Sequence, residues 1–330
     1  MKQRTFDPVG VLFGIGLPVV AAVVGVLVTH LWRHRLPDRL ATHWSGAAPN
    51  GFSDPTTSAW TFALITLLVA GGCCAVAALA QPLLIMRRAM LLIGLTVLGL
   101  LVTLQLTILI VQLDITDSSD VRLPTWAIGV GALGGFCVGV IGAALLRDHR
   151  RKPAAPEPPA PDLPRGQRTA VLDTVGFTRT GTATFAVVAL GVAALGWWFV
   201  GSFWPVVAVV PVLVVVVGVM RYRIVVDGDG IRVRNLGMTS IDVGIDEIEG
   251  ARVTEVSPFK DFGGWGLRAK GRGRYGIVTR TGPAIEVRTA GALTLTITTD
   301  HAQEMAGALN SWADGRIRKA PESRIPRDPS

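Results

Sequence analysis

Three histidines lie in or just before the first long polar segment of the chain, close enough in sequence to suggest a metal site. His30 and His34 are four residues apart, which places both on one face of a helix, and His43 follows them. Asp38 and Asp54 could supply carboxylate ligands. However, arginines alternate with these histidines, and their positive charge opposes a cation. The sequence therefore predicts no metal ion, and it indicates no other cofactor.

His43 and Trp44 are the residues of this segment best suited to recognition. Imidazole changes charge near neutral pH, so His43 is a candidate for ligand contact or for a response to protons. Loops also carry function more often than packing. The alternative is that both side chains lie at the level of the lipid headgroups and stabilise the loop.

Motifs that would indicate an enzyme are missing from the sequence. It contains no Gly-x-Ser-x-Gly elbow, no His-Glu-x-x-His helix and no phosphate-binding Gly-Lys-Ser/Thr loop. The three cysteines, Cys73, Cys74 and Cys137, lie inside apolar runs without metal or disulfide spacing. The prediction is that the protein is not an enzyme.

A second polar segment alternates cations with small residues: Arg268, Lys270, Arg272 and Arg274. Each basic residue near an anionic membrane surface adds about 1 kcal/mol of binding. These side chains are therefore candidates for contact with anionic lipid headgroups or with a protein partner; the alternative is a solvated loop. Nucleic acid is not an expected partner, because no recognition helix or stacking motif accompanies the charges.

The elements that must position these residues are mostly long apolar runs. Half of the 330 residues are hydrophobic and only 17% are charged, a balance that is rare in soluble proteins. The runs predict about six transmembrane helices, which would make the lipid bilayer the main solvent of the chain. These spans contain no charged residue and are predicted at Val9–Leu31, Trp60–Ala80, Ala89–Val111, Trp126–Leu146, Thr182–Val200 and Phe203–Met220.

Basic residues at the ends of the runs set the predicted orientation. The net charge is +8, and arginines cluster at 87–88, in a predicted cytoplasmic turn, and again from 147 to 151. The abundance of Ala, Val, Arg and Gly relative to Lys suits a GC-rich bacterium. The sequence thus predicts a multi-pass protein of a bacterial plasma membrane, with both termini in the cytoplasm.

The N-terminal two thirds of the chain is predicted to divide into three parts. Residues 1–152 form a four-helix transmembrane module with an external loop at 33–57. Residues 153–165 form a Pro/Ala-rich cytoplasmic linker, expected to be an extended tether with no packed structure of its own. Residues 166–220 form a two-helix transmembrane hairpin.

The remaining chain is predicted to be a cytoplasmic β domain over 221–314, followed by a disordered tail at 315–330. Its fold class is a small barrel-like sheet closed by an amphipathic helix at 301–313. Apolar and polar residues alternate in roughly seven strands, expected near 224–226, 231–234, 240–243, 251–256, 276–280, 284–288 and 293–298.

Small and polar residues inside the spans predict how the helices pack. Gly131, Gly135 and Gly139 form a ridge that allows close approach, either within the bundle or between protomers. Gln105 is expected to hydrogen-bond a neighbouring helix. The lack of charged residues within the spans argues against an ion-coupled transporter.

The external segment also carries a spaced set of typed residues. After Leu36-Pro37 come the residues expected to recognise a ligand or shape the loop: His43, Trp44, Gly46, Pro49, Asn50, Gly51 and Phe52. This pattern resembles the domain of unknown function 1648 family of membrane proteins, which includes the Sdp-type immunity and signalling proteins. Asn50 replaces the usual Asp of that family, and Pro55 stands near its usual Lys or Arg. The resemblance covers at most the first four spans.

The C-terminal part, through the segment Ser257–Arg268, is similar to bacterial pleckstrin-homology-like domains. Together the two resemblances imply a sensing, immunity or signalling protein, in which an external loop is coupled to a cytoplasmic domain that binds protein or lipid. Two alternatives remain open: a small-solute permease or channel with a pathway past Gln105, and a scaffold for envelope assembly.

Overall fold

A computed structural model of the chain describes residues 5–44, 48–124, 126–200, 217, 220–235 and 237–317. The chain divides into two units, Met1–Arg150 and Arg151–Ser330. Five described helices are long and apolar enough to cross a membrane, four in the first unit and one in the second. Most of the predicted sixth span, Phe203–Met220, and most of the predicted tail lie outside the described residues.

The four long helices of the first unit are α1 (Pro8–Arg35), α2 (Pro55–Ala78), α3 (Leu84–Ile110) and α4 (Trp126–Leu145). Asp-Pro pairs start the first two. Asp7 accepts hydrogen bonds from the Val9 and Gly10 amides, and Asp54 accepts them from the Thr56 and Thr57 amides. An acidic cap with proline in the first turn satisfies free amides and presets the helical backbone. The local sequence therefore determines where α1 and α2 begin.

Helices α3 and α4 pack through the predicted glycine ridge. A Cβ on Gly135 would lie 2.2 Å from the Leu95 carbonyl oxygen, and a Cβ on Gly99 would lie 2.3 Å from the Gly131 carbonyl oxygen. Gly139 faces Leu92 in the same way, at 3.0 Å from its Cδ1. Only glycine allows two backbones to come this close, so the ridge packs within the chain.

Side-chain contacts define two ends of the first unit. At one end, the start of α1, the end of α2 and the start of α3 meet where Arg87 contacts Asp7 and the Ala77 carbonyl. At the other end, the chain after α1 meets the chain after α3, where Ala41 contacts Gln112. The four helices therefore run alternately up and down between these ends.

The second unit begins with a strand that the sequence analysis did not predict. Strand β3 (Val171–Val175) precedes helix α5 (Arg179–Val200) and pairs antiparallel with β4 (Tyr222–Asp227), which follows the helix in the chain. The sheet continues through β5 (Gly230–Asn235) and β6 (Met238–Gly244), in the order β3-β4-β5-β6. The β domain therefore includes a strand inside the segment predicted as the two-helix hairpin, residues 166–220, and does not start at residue 221.

A second sheet of five strands completes the domain. Its strands are β7 (Ile248–Val256), β8 (Gly266–Ala269), β9 (Arg274–Val278), β10 (Gly282–Thr289) and β11 (Thr294–Thr298), and the short helix α6 (Pro258–Phe262) lies between β7 and β8 in the chain. The strand order in the sheet is β7-β10-β11-β9-β8, and only the β9–β11 pair is parallel. Helix α7 (Ala302–Ile317) contacts β4, β7 and β10, and so closes both sheets.

The Pro/Ala-rich segment contains no regular strand or helix, but it contacts the β domain. The Ala155 amide donates to the Asp246 carbonyl at 2.7 Å, and Asn310 Nδ2 donates to the Pro164 carbonyl at 2.8 Å. Arg165 forms an ion pair with Asp314 at 2.6 Å. The predicted free tether is therefore wrong over this stretch, because proline-rich backbone keeps free carbonyl groups that neighbouring donors can bind.

Candidate functional site

The polar segment after α1 folds into an antiparallel hairpin of β1 (Leu40–Trp44) and β2 (Pro49–Ser53). His43 is paired with Gly51, where a Cβ would lie only 2.9 Å from the His43 Cβ. Gly51 therefore makes room for the histidine across the ladder. Predicted residue Gly46 lies outside the described residues.

Gln112 fixes the base of the hairpin. Its side-chain oxygen accepts from the Ala41 amide at 2.8 Å, and its side-chain nitrogen donates to the Ala41 and Ile108 carbonyls at 3.0 Å each. Gln112 and Ala41 are both fully buried. The glutamine side chain thus replaces a neighbouring strand for Ala41, because buried backbone groups must find partners.

The second loop, 114–124, fixes the upper part of the hairpin. Trp44 Nε1 donates to the Val121 carbonyl at 2.9 Å, and the Ser118 hydroxyl donates to the Arg39 carbonyl at 2.8 Å. Trp44 thus joins the two loops, a contact that the sequence analysis did not anticipate. The hairpin and the second loop form one surface, called here the hairpin surface.

An ion pair joins the end of α1 to the same loop. Arg35 Nε donates to Asp114 at 3.0 Å, and this hydrogen bond to the guanidinium holds the pKa of the Asp114 carboxyl below its usual value. Asp114 adopts a left-handed backbone with φ of 61°, a conformation that aspartate tolerates better than most residues. The exposed pair thus helps to set the direction of the loop.

His43 and Asn50 face each other on the exposed side of the hairpin. His43 Nδ1 lies 2.6 Å from Asn50 Oδ1. As the amide is oriented, its oxygen can only accept, so Nδ1 carries the proton. The asparagine that departs from the family pattern therefore orients the histidine without a negative charge.

An open cleft of about 290 Å³ lies beside the hairpin. This volume is at the lower end of the range for small-molecule pockets, so it fits a single side chain or a small polar group. Two carboxylates, one guanidinium, three hydroxyls and one aromatic ring line it: Asp38, Arg39, Phe52, Thr116, Asp117, Ser118 and Ser119.

One of the cleft carboxylates is fixed by its own loop. The Ser119 amide and hydroxyl both donate to Asp117 at 2.9 Å, and these bonds lower the pKa of that carboxyl. Asp38 is more open, with only a long ion pair of 3.9 Å to Arg33. The cleft therefore presents negative charge at neutral pH beside a partly exposed aromatic ring, Phe52.

The predicted cationic residues lie together in the other unit. Arg268 is on β8, Arg274 is on β9, and Lys270 and Arg272 occupy the connection between these antiparallel strands. All four side chains are exposed. The structure thus places them on one hairpin, called here the cationic hairpin.

A buried charged cluster at the other end of the first unit was missed by sequence reasoning. The third span was predicted to begin at Ala89, but α3 begins at Leu84, so Arg87 lies in its first turn. Arg87 is fully buried and binds Asp7 at 2.5 Å, and His149 Nε2 lies 3.3 Å from the same carboxylate. Two arginines are thus part of a helix long enough and apolar enough to cross a membrane, although the predicted span started just after them.

The two arginines at this end act as caps for other helices. Arg87 donates to the carbonyls of Ala77 at the end of α2 and of Arg147 after α4, while Arg88 donates to the Ala143 and Leu146 carbonyls. The last carbonyls of a helix have no partner within it and attract cations. The Asp-Pro pair before α1 is the sequence signal that could have revealed the partner of Arg87.

The remaining polar candidates have structural positions. Gln105 is buried and packs against Gly25 of α1, where a Cβ would lie 2.4 Å from its Oε1. Among the described residues, no group of three or more His, Cys, Asp or Glu side chains is arranged to bind a metal.

The chain was also compared with known proteins. No family model, no curated protein and no solved structure matches it. The two family resemblances therefore remain predictions, and the functional argument depends on the geometry.

Proposed function

We propose that the protein is a membrane receptor without catalytic activity, which recognises a ligand outside the cell at the hairpin surface. The observation that carries this proposal is that the backbone of the hairpin is fixed, whereas some of its side chains are exposed. Gln112 and Trp44 hold the hairpin by hydrogen bonds, whereas Phe52 is exposed at the cleft and His43 is exposed on the hairpin. A preorganised exposed surface loses little entropy on binding.

The character of the cleft favours a polypeptide ligand. The cleft is small, open and lined by Asp38 and Asp117, so it suits one basic or polar side chain of a larger partner. The family resemblance implies a toxin or a signalling peptide as the ligand, and such a peptide would supply a basic or polar side chain. Sensing and immunity are both compatible with such binding.

The distribution of charge supports the orientation. The end of the first unit that contains Asp7 carries Arg87, Arg88, Arg147 and Arg150, followed in the chain by Arg151 and Lys152, against Arg33, Arg35, Arg39 and Arg122 at the opposite end. This excess of cations is expected for a cytoplasmic end. The hairpin surface lies at the opposite end and would then be external. The β domain would be cytoplasmic and would bind a protein or lipid as the output of the receptor.

The pairing of β3 with β4 supports an even number of crossings between these strands. Hydrogen-bonded strands must lie on the same side of the membrane, and α5 lies between them in the chain. If α5 crosses the bilayer, the chain must return before Tyr222. The predicted sixth span would supply that return.

Site-specific photocrosslinking in native membranes tests the proposal. Benzoylphenylalanine in place of Phe52 is expected to give a discrete adduct, and Thr116→Trp, which fills the cleft, is expected to abolish it. The same probe in place of Trp60, an exposed residue of α2, serves as the control and should label lipid. A Phe52 adduct that persists in Thr116→Trp would contradict recognition at the cleft.

The permease alternative makes a different prediction for the same protein. Solute flux in proteoliposomes that Gln105→Leu abolishes, together with no adduct at position 52, would replace the receptor proposal by transport.

A further inference from the structure

The cationic hairpin concentrates four exposed cations in a short stretch of the β domain. Arg268, Lys270, Arg272 and Arg274 are exposed, and none forms an ion pair with an acid among the residues that the structure describes. By contrast, the neighbouring cations are each paired with a carboxylate. Arg252 and Arg288 pair with Glu286, and Arg280 pairs with Asp300.

Two exposed aromatic side chains lie beside this hairpin. Phe259 of α6 and Trp265 are 61% and 50% exposed, and their rings meet edge to face with centroids 4.6 Å apart. Lys270 Nζ lies 6.0 Å from the centroid of the nearby Phe262 ring. Aromatic residues next to cations are typical of surfaces that enter the interfacial region of a membrane.

The aromatic pair lies next to the point where the chain enters the β domain from the predicted sixth span. A Cβ on Gly266 would lie 2.9 Å from the Met220 sulfur, and Met220 lies two residues before the start of β4. The other connection, from β3 to α5, leaves the sheet at Val175, the residue paired with Tyr222. The chain connections to α5 and to the predicted sixth span therefore both leave from this edge of the domain.

The charged side chains of the β3–β6 sheet differ between the two ends of its strands. At the edge just described, Arg223 lies directly opposite Arg234 on the neighbouring strand, and both are exposed. Like charges directly opposite each other destabilise a sheet, so an external anion would relieve this pair. The far end of the same hairpin carries Asp227 and Asp229, which both form ion pairs with Arg232.

We infer that the β domain docks on an anionic bilayer through the cationic hairpin and the Phe259–Trp265 pair. The cations contact lipid phosphates, the two rings enter the interface, and Arg223 and Arg234 face the same surface. The inference depends on the membrane location in the proposed function, but not on ligand recognition at the hairpin surface. Loss of the crosslink at Phe52 would therefore leave it intact.

Hydrogen–deuterium exchange of the full chain in lipid nanodiscs tests the docking. Amides of residues 258–276 are expected to exchange more slowly in discs that contain phosphatidylglycerol than in discs of phosphatidylcholine alone. Each removed cation is expected to weaken docking about fivefold at low salt. The combined Gln substitution of the four cations should therefore abolish the lipid dependence, as should high salt.

Two further variants separate docking from folding. Phe259→Ser with Trp265→Ser should also reduce the protection of this segment, whereas Arg252→Gln with Arg288→Gln, which removes paired cations, should not. Unchanged protection of β11 would show that each variant is folded. Equal exchange of 258–276 in the two kinds of disc would overturn the inference and leave the surface to a protein partner.

Discussion

The two ends of the four-helix unit are each closed by a fully buried polar side chain, but the two side chains differ in charge. At one end the Arg87 guanidinium binds the Asp7 carboxylate and caps α2. At the other end the neutral Gln112 amide binds both backbone groups of Ala41. One end thus buries an ion pair, and the other buries only neutral groups.

The difference shows how the two ends divide structural and functional roles. A buried ion pair is stable only when every charge has a partner, so the Asp7 end has little freedom to bind a ligand. At the hairpin end the charges of Asp38, Asp114 and Asp117 stay exposed. A neutral buried contact holds the backbone there, and the charged groups remain available.

The largest effect is expected when the buried pair is broken. Asp7→Ala leaves the Arg87 charge buried without its carboxylate, which should reduce the free energy of unfolding by about 3–5 kcal/mol. Thermal unfolding in detergent micelles measures the change. Arg35→Ala, which breaks the exposed pair with Asp114, is the matched control and should cost about 1 kcal/mol or less. Equal losses in the two variants would remove the distinction between buried and exposed pairs.

A smaller effect is expected at the neutral end. Gln112→Leu leaves the buried amide and carbonyl of Ala41 without partners, which should cost about 1–3 kcal/mol and release the hairpin. Faster hydrogen exchange of the Ala41 amide would report this release. Gln105→Leu, a substitution of another buried glutamine on α3, serves as the control and should leave Ala41 protected. Unchanged exchange in Gln112→Leu would show that the hairpin is held by other contacts.

The hydrogen bond that joins the two loops is expected to contribute less stability than Gln112. Trp44→Phe keeps an aromatic ring but loses the hydrogen bond to the Val121 carbonyl, at an expected cost of about 0.5–1.5 kcal/mol. Unfolding midpoints of this variant and of Trp60→Phe, an exposed position on α2, can be compared directly. A larger loss at Trp60 than at Trp44 would contradict the joining role of Trp44.

Acid is expected to have the smallest effect until the pH is low. Burial raises the pKa of Asp7, but its hydrogen bonds to Arg87, Gly10 and Val9 outweigh burial and hold the folded-state pKa below 3.8. A depressed carboxyl pKa contributes stability that is present above the unfolded value and is lost as the pH falls through the folded value. Unfolding midpoints should therefore change little from this source between neutral pH and about pH 4. Below about pH 4, Asp7→Ala should lose less stability with falling pH than the unsubstituted protein, because the variant lacks the Asp7 carboxyl.

Local signals in the sequence predicted the elements better than the contacts between them. Uninterrupted apolar runs predicted five helices that are long and apolar enough to cross a membrane, because length and hydrophobicity are properties of one segment. The alternation around Asp227–Gly230 likewise predicted the β4–β5 hairpin. Strand β3 was missed because its partner β4 lies beyond a whole apolar helix in the chain.

The buried polar contacts were missed for a related reason. Arg87 ended an apolar run in the sequence, and its burial depends on Asp7, which is 80 positions away. Gln112 lies just beyond its helix, and nothing near it in the chain indicates that Ala41 needs two partners. His43 and Phe52 could be proposed as candidates from the sequence alone, because recognising an exposed loop residue requires no knowledge of a distant partner.

Cysteine labelling in intact cells tests whether the hairpin surface and the β domain lie on opposite sides of the membrane. In a background without the native cysteines, a membrane-impermeant maleimide should label Ser119→Cys in intact cells. It should label Arg272→Cys only after the membrane is opened. Labelling of both positions from the same side would contradict a receptor that binds outside and acts inside.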